Sequence, residues 1–316
     1  MRYAKIGGQA LIEGIMMRFG DEYSVAVRKP DHTIEVKREK HVPLAARLHM
    51  SSVPVVRGAL AFIDSLVLGM STLTYSASFF EEEEEKEPEQ KGKASDKLMI
   101  GVTVAISVVI AVALFMLLPY FISVKIVGAQ EGSFLTALIE GIVRVVIFLA
   151  YMIAISMMKD IQRVFMYHGA EHKTISCIER GFELTPENAA KCSRLHKRCG
   201  TSFLLFVVIV SILFFMFIRT DSHLMRILLR VILVPAIAGV SYEILQWAGR
   251  SDSVVMNLIS APDLWLQRLT TREPDAEMLE VAIASIEAIY DWRAFQAGDE
   301  DKAAICGCPE AGESEG

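Results

Sequence analysis

Between Tyr167 and Phe203 the chain runs YHGAEHKTISCIERGFELTPENAAKCSRLHKRCGTSF, the stretch in which histidine, cysteine and carboxylate recur at helical intervals. His168 and His172 are four residues apart. On a helix they project from one face a turn apart, where two neutral imidazoles can share a divalent metal ion. Glu171 lies beside the second histidine, so the pattern is His-x-x-Glu-His, the inverted form of the metalloprotease arrangement. In that chemistry the carboxylate is a general base that takes a proton from water, and it is not a ligand. Glu179, eleven residues past His168, returns to nearly the same face because eleven residues make almost three turns. It is placed to be a third ligand or a partner that orients one.

A second cluster follows the turn signals Gly181 and Thr185-Pro186. Cys192, His196 and Cys199 stand at i, i+4 and i+7, so a helix through them would carry all three on one stripe, and a hairpin would bring the two stripes together. Thiolate with imidazole favours zinc, while a carboxylate in the set admits another transition metal. The expected divalent-metal ligands are therefore His168, His172, Glu179, His196 and Cys199, with Glu171 as the catalytic base. Four protein ligands would make a structural site and three with an open position a hydrolytic one, and both remain open at this stage. Lys173, Arg180, Lys191, Arg194, Lys197 and Arg198 have an ordinary explanation as a solvated or lipid-facing basic surface.

The elements that must position these groups are mostly apolar. Hydrophobic residues make up 53% of the 316, and the net charge is only −6. With a mean hydropathy of +0.38, this composition points to a membrane protein. Lysines and arginines are not interleaved with aromatics on one face, which argues against a nucleic-acid partner. The five cysteines fit reduced thiols in a cytosolic setting better than a disulfide framework. The apolar run at the amino terminus is broken by Glu13 and Gly14 before it reaches signal-peptide length.

The expected fold is mainly α, a polytopic membrane protein with a small β-containing amino-terminal region. Residues 1–80 form a cytosolic and interfacial region. Within it, 24–28 and 33–37 alternate around Pro30-Asp31 as a hairpin, and Gln9, Glu13 and Arg18 are placed to reach the site. Residues 53–80 are long enough to cross a bilayer. Arg57 and Asp64, a heptad apart and able to pair, argue instead for a helix lying on or dipping into the cytosolic leaflet. An acidic, disordered linker occupies 81–97.

Residues 98–127, 134–158, 201–218 and 224–247 approach or exceed the ~20 apolar residues a transmembrane helix needs. They pair as two antiparallel hairpins, 98–158 and 201–247. The 159–200 loop between them carries eight Lys/Arg residues, which by the positive-inside rule places it and both chain ends in the cytosol of a multi-pass cell-membrane protein. Arg226 and Arg230 sit awkwardly at the outer end of the last span. Glu140 and Arg144 are spaced to neutralise each other, and Glu243 is an outside candidate for an additional ligand. In 248–295 a surface segment with Trp265 and Arg268 precedes an amphipathic helix over 275–293, and the tail 296–316 is acidic, with Cys306 and Cys308 as incidental thiols.

IGGQALIEGIMMR near the start, VVRGALAFIDSL, YHGAEHKTISCIERG, HKRCGTSF and LWLQRLTTREPDAEMLEVAI together resemble the YqhQ family of bacterial membrane proteins, over nearly the whole chain. The resemblance implies a metal-dependent enzyme without an assigned substrate. It maps the family's histidine motif onto His168, Glu171 and His172 and its later pair onto His196 and Cys199. Cys192, Cys306 and Cys308 fall outside that pattern.

These features lead to the expectation of a hydrolase of a peptide or lipid-linked substrate at the cytosolic face of the bilayer. The competing expectation is a non-enzymatic scaffold or assembly factor with a structural metal or none. Its polar flanks and surface helices suit protein partners or a homo-oligomer. A small-solute transporter is the weaker third, since four spans with few polar groups offer little pathway.

Overall fold

The computed structural model describes residues 3–80, 93–127, 134–196, 199–218, 220, 222–248, 254–299 and 303. The chain opens with β1 (Ile6–Leu11), β2 (Gly14–Phe19), β3 (Glu22–Arg28) and β4 (Ile34–Lys40), an antiparallel sheet in the order β1-β2-β3-β4. The expected hairpin is β3/β4, with Val25 opposite Lys37. The glycine-punctuated segment before it supplies the other two strands. Gly20 makes the turn into β3 at φ 60°, a left-handed conformation open to glycine at little cost.

Successive side chains of a strand face opposite sides, and here both sides are covered. Ile15, Met17 and Ala26 join one core with Tyr167, Ala170 and Ile175, and with Met278, Ala282 and Ile286. Leu11, Met16, Val25 and Val27 join another with Leu68.

The remainder is helical: α1 (Leu44–Arg47), α2 (Val56–Ala77), α3 (Lys93–Val112), α4 (Leu118–Val127), α5 (Phe134–Ser156), α6 (Lys159–Glu179), α7 (Pro186–Ala190), α8 (Gly200–Met216), α9 (His223–Ala248), α10 (Val254–Thr270), α11 (Ala276–Ile289) and α12 (Trp292–Ala297). A π-helical turn, Ala113–Leu117, joins α3 to α4. Helix α3 begins inside the expected linker, whose residues 81–92 lie outside the described residues, as do Cys306 and Cys308. The amphipathic helix expected near the carboxyl end is α11, capped by the Asp275 side chain on Met278 N–H at 2.8 Å.

Among the described residues, four helices are long and apolar enough to cross a membrane: Val56–Ala77, Gly101–Val127, Leu135–Ser156 and Leu224–Ala248. The number matches the expectation, and the set is drawn by length and composition alone. Val56–Ala77 qualifies, while the described apolar helix Phe203–Met216 is shorter. The charges that argue against inserting α2 are each neutralised, though not by each other. Arg57 pairs with Glu243 at 2.6 Å, which also removes Glu243 from the ligand candidates. Asp64 sits 2.8 Å from His41 Nε2 and 3.5 Å from Arg18.

The awkward arginines of α9 are likewise explained. Glu140 accepts hydrogen bonds from Arg144 Nη2 and from Arg230 Nη2, each at 2.6 Å. Arg144 Nη1 reaches Ser211 Oγ at 3.0 Å, and its Nε reaches the Phe115 carbonyl of the π-helical turn at 3.0 Å. Arg226 Nη1 donates to Tyr120 Oη at 3.2 Å. The expected Glu140–Arg144 pair is thus one edge of a buried network that ties α4, α5, α8 and α9.

Candidate metal centre

Helix α6 starts three residues after α5 ends, so a membrane-length helix leads straight into the one bearing the histidines. From Tyr167 to Ile178 every residue of α6 is buried. The sheet covers one side and α11 another. A third side receives the chain just after α10, and this approach depends on Gly169. A Cβ there would lie 2.0 Å from the Arg272 carbonyl oxygen. With no side chain in the way, Arg272 N–H donates to Phe165 O at 2.8 Å and brings the Thr270 carbonyl to His168.

Both imidazoles are held from behind. His168 Nδ1 donates to Thr270 O at 2.8 Å, and His172 Nδ1 donates to Arg194 O at 2.6 Å. A proton fixed on Nδ1 leaves Nε2 as the coordinating atom, the way metal-ligating histidines are usually oriented. The rings stand 4.5 Å apart, centroid to centroid. Cys199, at the entry to α8, meets them: its Sγ is 3.1 Å from His168 Nε2. Ligand atoms of His168, His172 and Cys199 all fall within 4.8 Å of one another, close enough to share one ion. His172 Nε2 is buried and has no hydrogen-bond partner among the described residues. A buried nitrogen without a partner is costly, and an ion at this point would remove the cost.

The electrostatics follow the same geometry. Burial raises the Cys199 thiol, but the charges of His168 and His172 outweigh it and hold the group well below the ordinary thiol range. Burial lowers His168, and the Cys199 charge and hydrogen bond reverse this and push it up to about 9. The two are one thiolate–imidazolium pairing. Glu171 is pushed above the usual carboxylate range by burial, with His168 and His172 pulling against the shift. Cys177 has the opposite character to Cys199: burial, and then Cys192, drive its thiol up to about 12. None of Cys177, Cys192 and Cys199 is in a disulfide.

The other expected site residues lie close by with different partners. Glu171 accepts the Gly8 N–H at 3.0 Å, so β1 reaches the site through a backbone amide. Gly8 was not singled out from the sequence. The signal for it was the Gly7-Gly8 pair, where a Cβ on Gly8 would lie 3.1 Å from Glu171 Cδ. Glu179 and His196 face each other, with Glu179 Oε2 3.0 Å from His196 Nε2, and Ala4 N–H donates to Glu179 Oε1 at 3.0 Å. They are outside the three-ligand group, although the His196 ring is 5.9 Å from that of His172.

The expected Cys192–His196–Cys199 helical stripe does not form. Residues 191–196 are irregular because their backbone is held by side chains from elsewhere. Lys173 Nζ takes the carbonyls of Ala190 at 2.7 Å and Cys192 at 2.9 Å. Gln267 bonds both the N–H and the C=O of His196, at 2.9 and 2.8 Å. Gln9, Glu13 and Arg18 do not reach the cluster either. Gln9 packs at Gly69, Glu13 pairs with Arg163, and Arg18 faces Asp64.

Fold and site together define a mainly helical protein with membrane-length apolar helices and a buried His–His–Cys cluster. The family model described as "Protein of unknown function (DUF1385)" matches residues 53–292, about three quarters of the chain. The chain belongs to that family. It is 35% identical over 293 residues to the uncharacterized protein YqhQ of Bacillus subtilis (strain 168), covering 90% of this chain and 91% of that one. No solved structure matches.

Proposed function

We propose that His168, His172 and Cys199 hold a divalent ion at the cytosolic membrane surface and that the protein is a metal-dependent hydrolase of a peptide or lipid-linked substrate. One observation carries this reading. Two histidines pinned at Nδ1 by backbone carbonyls turn Nε2 towards a single low-pKa thiol, and one of those nitrogens has no other partner among the described residues. Two imidazoles and a thiolate suit zinc first. A bound ion supplies Lewis acidity and makes water acidic enough to react near neutral pH. To hold an ion, His168 Nε2 and Cys199 Sγ would both have to be unprotonated, so the proton between them would be released to solvent. Glu171, raised in pKa and oriented by the Gly8 amide, takes the proton from water and returns it to the leaving group.

In this reading α2 lies along the membrane surface. Its buried face, with Leu68, Gly69 and Ser76, meets the sheet, while Ile63, Leu66, Val67 and Met70 are exposed as one apolar stripe for lipid. The two-hairpin arrangement and both chain ends in the cytosol belong to the same proposal.

The second reading is a scaffold whose ion clips α6 to the start of α8. Burial of all three ligands favours it. Metal analysis of the detergent-purified chain, combined with growth complementation, separates the two. Glu171→Gln is expected to retain about one ion per chain, since it removes no ligand, and to fail in complementation. Full complementation by this variant supports the scaffold, and loss of metal from it makes Glu171 a ligand.

A further inference from the structure

We infer that the cavity between the end of α5 and the end of α10 is a docking site for the headgroup of an anionic membrane lipid. The cavity is about 470 Å³ and is lined by Arg194, Arg268, Arg272, Glu273, Ser156 and Leu269 among others. Three guanidinium groups face one carboxylate, and that carboxylate is already engaged. Glu273 pairs with Lys173 at 2.9 Å and with Arg194 at 3.3 Å. Arg272 Nη2 donates to Ser156 O at 3.1 Å. Arg268 is exposed and has no hydrogen-bond or ion-pair partner among the described residues. An anion with several acceptor oxygens, such as a phosphate ester, answers this excess, because guanidinium forks match phosphate geometry.

Position selects the source of the phosphate. Ser156 ends the apolar helix Leu135–Ser156, so the cavity opens where hydrocarbon gives way to headgroups. Trp265, half exposed on α10, is the residue type that anchors at that level, and Leu269 and Met166 add an apolar wall that a soluble anion has no use for. The lipid would rest against the backbone that holds the imidazoles, since Thr270 and Arg194 supply the two carbonyl acceptors. The inference does not depend on a metal.

The test titrates the full-length, chelator-treated chain in neutral detergent with short-chain phosphatidylglycerol, short-chain phosphatidylcholine and inorganic phosphate, reading binding by native mass spectrometry. Phosphatidylglycerol is expected to bind at least about tenfold more tightly than phosphatidylcholine, and Arg268→Gln to weaken it about tenfold with an unchanged melting temperature. Arg272→Gln serves as a second variant on the other wall. Equal binding of the two lipids, or wild-type affinity in both variants, overturns the inference. So does inorganic phosphate competing at the concentration at which phosphatidylglycerol binds, which makes this a soluble-anion site.

Discussion

His172 and His196 separate two kinds of histidine in the same loop region. His172 Nε2 is buried without a partner among the described residues, whereas His196 Nε2 lies 3.0 Å from Glu179. Removing the first takes away a donor of the proposed centre, and removing the second leaves a buried carboxylate to be rehydrated. We expect His172→Ala to lower metal affinity by more than about 100-fold, since even changes behind a ligand cost about 10- to 100-fold. His196→Ala is expected to keep the metal and to lose thermal stability. Metal stoichiometry at graded chelator concentrations checks both. Loss of metal in His196→Ala would restore the wider ligand set that spacing alone suggests.

At the scale of elements, the His–His–Cys cluster is assembled because α6 is clasped by a chain segment that passes over Gly169. Propensity and packing make opposite predictions for Gly169→Ala. Alanine is the better helix former by about 1 kcal/mol. Its Cβ, however, would lie 2.0 Å from the Arg272 carbonyl, a backbone atom that cannot rotate away. Packing wins, and net destabilisation of about 1–3 kcal/mol is expected, as for overfilled cores. Thermal unfolding of the solubilised protein measures this, and metal affinity should fall with it because the Thr270 carbonyl moves with Arg272. The helix itself was legible, since its histidines recur at four residues. That it is buried all round was not, since the sheet and α11, which cover it, come from opposite ends of the sequence.

Across the whole molecule, the membrane-length helices are tied by a charge network around Glu140. It accepts from Arg144 on its own helix and Arg230 on another, and all three side chains are buried. Glu140→Gln would leave two buried guanidinium groups without their carboxylate. Breaking a buried pair in this way costs about 3–5 kcal/mol, which should appear as a marked drop in melting temperature in detergent. A melting temperature unchanged by Glu140→Gln would show that water already solvates these arginines.

Much of the architecture could be read from local pattern. Long apolar runs must be helices if they enter hydrocarbon, because the backbone has no other partner there. Alternation marked the β3/β4 hairpin, and four-residue spacing put His168 and His172 on one face. These outcomes depend on neighbours within a few residues, where the chain's own geometry dictates the answer. Which groups meet across the fold depends on long-range packing. Glu179 lies on the histidine face by periodicity, yet it turns to Ala4 and His196. Cys199 joins the histidines, whereas Cys192, seven residues earlier and of the same type, is buried in the core. The backbone around 190–196 is held out of helix by Lys173 and Gln267, and neither bond has a signature in the segment it controls. Spacing determined the pair of imidazoles; only the packing of α8 and the segment after α10 against α6 decided that a thiol would join it, because a side-chain cluster is a matter of convergence in space and not of order along the chain.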